Sequence, residues 1–182
     1  MSVEQELKLK VDEFKSIKSR LATAKAIRIG SFSQTDIYYG NEHLIKALGR
    51  SFLIRIRESG KKHMLAFKGA TGKVGSYEEY ETHINDAAAA SNMFEKSGFE
   101  HIITVRKKRE SYKYKDSTIN LDSVEGLGKF VEIEIISDKP AKNKLNEIVR
   151  ELGFGTYPKA PMGYVSLMLA RDGSKYSKYV KE

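Results

Sequence analysis

The N-terminal segment of the chain carries a pattern that few folds can accommodate. Apolar residues at positions 3, 7, 9 and 11 alternate with Glu4, Glu6, Lys8 and Lys10. Successive side chains of a β-strand point to opposite faces, so residues 3–11 are predicted to form a strand with one fully charged face.

The same alternation recurs in four later segments, where the charged face keeps largely one sign. These faces carry Arg55 with Arg57, Lys107 with Arg109, Asn120 with Asp122, and Glu132 with Glu134. A sheet that simply exposes its polar face to water usually mixes the signs and includes Ser, Thr and Gln. We therefore expect the sheet to curl, with apolar faces outward and charged faces lining a wet interior.

The predicted fold class is α+β: a closed or nearly closed antiparallel β-barrel of about eight strands that forms a charged tunnel, with helices packed outside. Strands are predicted at 52–58, 64–68, 77–84, 102–111, 118–124 and 130–136. Helices are predicted from a candidate N-cap at Asp12 to about Ala24, over 86–97 and over 140–152. At 182 residues a single domain, 1–182, is expected, with a C-terminal tail at 170–182 in which residues 175–179 form a frayed, solvated end.

A weak internal repeat relates two parts of the chain. Arg57-Glu58-Ser59 precedes the alternating Glu79 and Glu81 and then Ser97-Gly98-Phe99, and Arg109-Glu110-Ser111 precedes the alternating Glu132 and Glu134 and then Leu152-Gly153-Phe154, at spacings that differ by one or two residues. Two similar β-rich halves of one barrel would produce such matches, and so would chance.

Composition narrows the metal chemistry. The chain has no cysteine, and its four histidines lie about 20 residues apart, which is unlike a zinc site. Carboxylates are then the expected ligands, and they favour Mg²⁺ or Mn²⁺. The net charge of +8 indicates an anionic partner.

Like charges crowded in a tunnel need neutralising partners. Acids can be neutralised by a metal and bases by an anion, so a metal-bound polyphosphate satisfies both sets. A module that binds RNA or another polyanion without catalysis would carry bases without organised acids. The alternating acids of this chain therefore disfavour nucleic acid as the partner.

Several motifs, in this order, resemble the CYTH superfamily, which includes class IV adenylyl cyclases and thiamine triphosphatases and is also called the triphosphate tunnel metalloenzymes. The resemblance covers residues 3–169, but 158–164 lacks the Arg-Ser pair common in the family before the C-terminal tyrosine. The motifs are Glu4-Gln5-Glu6-Leu7-Lys8, Thr35-Asp36-Ile37-Tyr38-Tyr39, Leu53-Ile54-Arg55-Ile56-Arg57, Leu65-Ala66-Phe67-Lys68-Gly69, Glu78-Glu79-Tyr80-Glu81, Val105-Arg106-Lys107-Lys108-Arg109 and residues 122–134.

The resemblance implies a role for each charged residue. Divalent metal, Mg²⁺ or Mn²⁺, would be ligated by Glu4, Glu6, Glu132 and Glu134, with help from Asp122 and from Glu79 or Glu81, whichever faces the tunnel. The triphosphate would be bound by Lys8, Arg55, Arg57, Lys68, Lys107 and Arg109, and Lys8, Arg57 and Lys68 would be the catalytic residues.

Three hypotheses about function remain open: a class IV adenylyl cyclase-like enzyme that makes cyclic AMP and pyrophosphate, a triphosphatase, and a non-catalytic polyanion-binding module. The expected partner is ATP, thiamine triphosphate or tripolyphosphate, with no membrane partner and with a homodimer left open. No stretch reaches the ~20 apolar residues of a membrane span, and residues 1–4 do not begin a secretory signal, so a cytoplasmic location is expected.

Overall fold

The computed structural model describes residues 3–49, 51–72, 76–178 and 180, and within them eight β-strands and five α-helices. The strands are β1 (Val3–Val11), β2 (Ile27–Gly40), β3 (Phe52–Ser59), β4 (Lys62–Ala70), β5 (Ser76–Ile84), β6 (Glu100–Tyr114), β7 (Ser117–Val124) and β8 (Gly128–Ser137). The helices are α1 (Lys15–Thr23), α2 (Glu42–Leu48), α3 (Ala87–Lys96), α4 (Lys142–Glu151) and α5 (Tyr164–Arg171), followed by a short 3₁₀ helix at Lys175–Lys178.

The eight strands close a barrel in the order β1-β5-β4-β3-β2-β6-β7-β8, and β8 pairs with β1. Every neighbouring pair is antiparallel. The barrel is closed, which confirms the predicted α+β barrel with helices outside. Closure also brings the first strand between two strands from much later in the chain.

The apolar coat of the barrel explains why its charged faces turn inward. Leu9 and Val131 on the outward faces of β1 and β8 are fully buried against Ile17 of α1 and Ile148 of α4. Burying one such side chain contributes about 1.5–3 kcal/mol. The helices therefore stabilise the outer surface and leave the inner surface free to carry charge.

The structure corrects one expectation about a helix cap and adds three elements that were not predicted. Helix α1 begins at Lys15 with Phe14 at the N-cap position, so the Asp12 cap was wrong; the side chain of Glu13 accepts the backbone N–H groups of Lys15 and Ser16 instead. Strand β2 and helices α2 and α5 were not predicted as elements. Their sequences are short or lack a sustained hydrophobic periodicity, so tertiary packing determines their secondary structure.

The frayed C-terminal tail was also a wrong expectation. Tyr176 is 3% exposed and Val180 is 2% exposed, and both pack in one cluster with Leu169 of α5 and Val105 of β6. Burial of these apolar groups holds the described part of the tail against the barrel. Within the described residues, no helix combines the length and apolar character needed to cross a membrane.

Candidate functional site

A cavity of about 460 Å³ lies inside the barrel. It is lined by inward-facing charged residues of six strands. Among the predicted site residues, those that line it are Glu4, Glu6, Lys8, Arg55, Arg57, Lys68, Glu79, Glu81, Lys107, Arg109, Glu132 and Glu134. Asp122 is the one predicted site residue outside this lining.

The order of strands sorts these charges into two continuous regions. We call β8, β1 and β5 the acidic arc, because these neighbouring strands carry Glu132, Glu134, Glu4, Glu6, Glu79 and Glu81. We call β4, β3, β2 and β6 the basic arc, because its inward faces carry Lys68, Arg55, Arg57, Lys107 and Arg109. Both Glu79 and Glu81 face the cavity, since they are two residues apart on β5.

Three carboxylates of the acidic arc are grouped closely enough to hold a cation. Glu4, Glu6 and Glu134 each offer an oxygen, and these oxygens lie within 4.8 Å of one another. Burial and the neighbouring Glu132 raise the pKa of Glu134 well above its usual range, and burial raises the pKa of Glu4. Crowded oxygen donors of this kind fit a hard divalent cation such as Mg²⁺ or Mn²⁺.

Glu132 is paired more closely with basic residues than its neighbour Glu134, which lies 3.6 Å from the Arg109 guanidinium. Burial alone would raise the pKa of Glu132, but Arg109 and Lys8 hold it well below its usual range. The Lys8 ammonium lies 3.0 Å from the Glu132 carboxylate and also pairs with Glu6. The pKa of Glu132 is therefore lowered by its basic partners, whereas the 3.6 Å contact of Glu134 with Arg109 does not offset burial and the charge of Glu132.

Two buried aspartates orient two of the arginines. Arg57 donates from Nε and Nη2 to the two oxygens of Asp36 at 2.6 and 2.8 Å, and Arg109 donates in the same way to Asp122 at 2.7 and 2.5 Å. Each pair lies directly opposite in the strand register, and both aspartates are 0% exposed. Bidentate pairing fixes the plane of a guanidinium, so Asp36 and Asp122 act as positioning residues.

The two lysines of the basic arc are held by longer contacts than the arginines. The Lys107 ammonium lies 3.4 Å from Asp36, and the Lys68 ammonium lies 3.8 Å from Glu79 and 3.9 Å from Glu4. Burial, reinforced by the charge of Arg109, lowers the pKa of Lys107. Arg55 pairs with both Glu79 and Glu81 across the junction of the two arcs. Cations gathered in this way suit an anion with several oxygens.

Sequence reasoning missed two residues that complete the site. Asp36 lies within the family-like motif at 35–39. An acid among the apolar and aromatic residues of a strand-like segment could have indicated its role. Tyr164 begins α5 and lines the cavity; its hydroxyl donates to Asp122 at 2.9 Å, and the Lys8 and Lys107 ammoniums lie 5.1 and 5.5 Å from its ring centroid. The apolar run after Tyr164 could have revealed that helix.

Comparison with known proteins places the chain in a family. The model of the CYTH domain matches residues 2–164, which is nearly the whole chain. A Methanocaldococcus jannaschii protein named putative adenylate cyclase is 32% identical over 82% of this chain and 87% of its own length. The chain belongs to the CYTH domain family.

Solved structures agree with that assignment. A conserved hypothetical protein from Pyrococcus furiosus has a TM-score of 0.78 at 32% identity and covers 90% of this chain and 99% of its own. A Hippeastrum protein, described as a putative adenylyl cyclase with a dominant triphosphatase activity, has a TM-score of 0.66 at 20% identity and covers 96% of this chain and 97% of its own. At that identity the Hippeastrum protein shows a shared fold alone.

Proposed function

We propose that this protein is a divalent-metal-dependent enzyme that acts on a triphosphate, with ATP cyclisation to cyclic AMP and pyrophosphate as the first candidate reaction. The observation that carries the proposal is the pairing of the acidic arc with the basic arc around one cavity. Either arc alone would repel itself, and a metal-bound triphosphate supplies the missing charge to both.

The acidic arc would hold the metal. Glu4, Glu6 and Glu134 offer grouped oxygens, and the raised pKa of Glu134 fits a carboxyl group whose natural partner is a cation. Mg²⁺ or Mn²⁺ bound there would neutralise phosphate oxygens and stabilise the charge that develops on the leaving group.

The basic arc would bind the phosphates. Arg57 and Arg109 are already fixed by Asp36 and Asp122, so they lose little freedom when they bind phosphate oxygens. Lys68, Lys107 and Arg55 would bind further oxygens, and Lys8 would lie beside the metal ligands. Oriented charges of this kind stabilise a transferring phosphoryl group.

The attacking oxygen decides the reaction. In cyclisation the ribose 3′-hydroxyl attacks the α-phosphorus and pyrophosphate leaves, whereas in hydrolysis water attacks the terminal phosphorus. The name of the 32% identical relative favours cyclisation. Hydrolysis of thiamine triphosphate or tripolyphosphate is the second candidate. The charged groups that line the cavity would bind phosphate and metal in the same way in either reaction.

The test incubates purified protein with ATP, thiamine triphosphate or tripolyphosphate, each with Mg²⁺ or Mn²⁺, and identifies the products by chromatography. Cyclic AMP from ATP is the expected product. Orthophosphate without cyclic nucleotide would assign hydrolysis instead. Inactivity on all three compounds, by protein that is folded by circular dichroism, would reject the enzyme proposal.

A further inference from the structure

Two buried polar residues, Ser111 and Asn120, lie beneath the charged lining of the tunnel. By strand alternation they share the inward faces of β6 and β7 with Arg109 and Asp122, from which each is two residues away. Ser111 is 6% exposed and Asn120 is 2% exposed, and neither is among the residues that line the cavity. Any effect of these two residues on a ligand must therefore pass through their neighbours.

Both residues belong to a row of polar side chains that crosses four neighbouring strands. In the strand register Ser111 lies opposite Asn120, and Asn120 lies opposite Glu132 of β8. Glu132 in turn lies opposite Lys8 of β1. Directly opposite residues of antiparallel strands have Cβ atoms about 4.5–5.5 Å apart, which brings their side chains into contact. We call Ser111, Asn120, Glu132 and Lys8 the cross-strand row.

Polar contacts join the cross-strand row from one end to the other. Ser111 Oγ donates to Asn120 Oδ1 at 2.7 Å, and Asn120 Nδ2 donates to Glu132 Oε1 at 3.3 Å. The Lys8 ammonium lies 3.0 Å from Glu132 Oε2. An ionised carboxylate only accepts hydrogen bonds, so the amide nitrogen of Asn120 must face Glu132 and its amide oxygen must face Ser111. The hydroxyl of Ser111 therefore sets the orientation of the Asn120 amide.

The Glu132 carboxylate is held by three donors. Its Oε1 accepts from Asn120 and also from Nη2 of Arg109, while its Oε2 pairs with Lys8. Arg109 and Lys8 reach the carboxylate through long side chains with many rotatable bonds, whereas Asn120 reaches it through a short side chain on the adjacent strand. Asn120 is therefore the donor that ties the position of the carboxylate most directly to the backbone of the barrel.

The position of Glu132 in turn affects that of Lys8. The Lys8 ammonium pairs with Glu132 on one side and with Glu6 on the other, so the Glu132 carboxylate fixes one of its two anionic contacts. In the proposed function Lys8 is a cation beside the metal ligands, where an oriented charge stabilises a transferring phosphoryl group. A misplacement of about 1 Å at a reacting centre can lower the rate about a hundredfold.

We propose that Asn120, oriented by Ser111, is a positioning residue that fixes the Glu132 carboxylate and, through it, the Lys8 ammonium. The kinetic part of this role rests on the proposed function and deepens it, because it extends the site to two residues outside the lining of the tunnel. A neutral amide suits this place, since a second carboxylate would repel Glu132 and an apolar side chain would offer it no donor.

The test removes the amide and the hydroxyl separately and together. Asn120→Leu replaces the amide by an apolar group of similar size, and Ser111→Ala removes the hydroxyl that orients it. Asn92→Leu, on the exposed face of α3, is the matched control. Steady-state kinetics measure kcat and KM for the best substrate among ATP, thiamine triphosphate and tripolyphosphate, and urea denaturation establishes that each variant is folded.

A second measurement follows Lys8 without relying on turnover. NMR of protein labelled with ¹⁵N-lysine detects the Lys8 ammonium, and its signal is assigned as the one that Lys8→Gln removes. We expect this signal to shift or broaden in Asn120→Leu and to stay in place in Asn92→Leu.

For the kinetics we expect Asn120→Leu to lower kcat by about tenfold and Ser111→Ala to lower it by about threefold, with KM changed by less than about twofold in each. Because Ser111 acts through Asn120, the double variant should lose no more than Asn120→Leu loses alone. Ser111→Ala provides the second variant if Asn120→Leu fails to fold, and it should then displace the Lys8 signal as well.

Three outcomes would overturn the inference: an unchanged Lys8 signal in the folded variants, losses of kcat that multiply in the double variant, or a lower free energy of unfolding with full kcat, which would show a merely structural role. Failure of the unmodified protein to turn over any of the three compounds would instead reject the proposed function. The Lys8 signal would then still decide whether Asn120 positions the ammonium.

Discussion

The acidic arc and the basic arc line the same cavity, but each contains one buried group of the opposite sign. Lys8 lies among the glutamates of the acidic arc, and Asp36 lies among the cations of the basic arc. Asp36 pairs with both Arg57 and Lys107. Lys8 pairs with Glu6 and Glu132, and the pKa of Glu134 stays raised. The internal ion pairs thus hold the basic side in a fixed geometry and leave the acidic side short of a cation.

The largest effect is expected on catalysis, from substitution of the carboxylates that would hold the metal. The double variant Glu4→Gln and Glu6→Gln should lower kcat for the best substrate by about a thousandfold, because preorganised charge at the reacting centre is lost. Kinetics at saturating Mg²⁺ and Mn²⁺ measure the loss. Glu151→Gln, on the outer surface, is the control. Full turnover by the folded double variant would show that the metal assignment is wrong.

The next largest effect concerns the two positioning aspartates. Asp36→Asn should lower the free energy of unfolding by about 3 kcal/mol, because it leaves the buried Arg57 guanidinium without its anion. Asp122→Asn should lower it by less, because Arg109 still pairs with Glu132. Urea denaturation measures both values. Tripolyphosphate should restore more stability to Asp36→Asn, which frees Arg57 and Lys107 together. Equal restoration in the two variants would contradict the pairing of Asp36 with both Arg57 and Lys107.

The contribution of Asp36 to the free energy of unfolding depends on pH. Burial would raise the pKa of Asp36, but Lys107 and Arg57 hold it well below its usual range. Its stabilising contribution is therefore present above the pKa of the unfolded state, about 3.9, and is lost as the pH falls further. The stability deficit of Asp36→Asn should consequently shrink when denaturation is measured below pH 4.

A smaller effect is expected at the residue that joins α5 to the tunnel. Tyr164→Phe removes the hydroxyl that donates to Asp122, and should lower the free energy of unfolding by about 1.5 kcal/mol. Tyr114→Phe removes a hydroxyl that reaches the surface residue Glu151, and should cost less than about 0.5 kcal/mol. Urea denaturation measures both losses. Similar losses in the two variants would show that the Tyr164 hydroxyl contributes no more to stability than a surface hydroxyl does.

The smallest expected effect has the opposite sign. Glu134→Gln should raise the free energy of unfolding by about 1 kcal/mol at pH 7 in the presence of a chelator, because a carboxyl group with a raised pKa is costly to ionise in the folded state. A raised folded pKa penalises stability only above the unfolded value of about 4.3, so the gain should vanish near pH 4. A gain that persists at pH 4 would point to packing instead of charge.

Much of the fold was available in the sequence because the barrel follows a local rule. Alternation in segments such as Val3–Val11 places charges on one face and apolar groups on the other, and the outward apolar face needs helices to cover it. Strand β2 escaped prediction because its first half, as in Ile27 and Arg28, is exposed and pairs only with β6 among the described strands. Nothing local distinguishes such a segment from a loop.

The candidate site was predictable residue by residue but not in its arrangement. The chain by itself determined which side chains are charged, which of them share a face, and that carboxylates are the available metal ligands. Only closure of the barrel decided that Glu4 on the first strand lies beside Glu134 on the last, and only the register of the β6–β7 hairpin decided that Asp122 pairs with Arg109. The physical reason is that alternation is a property of neighbouring residues, whereas the grouping of charges depends on which strands exchange hydrogen bonds.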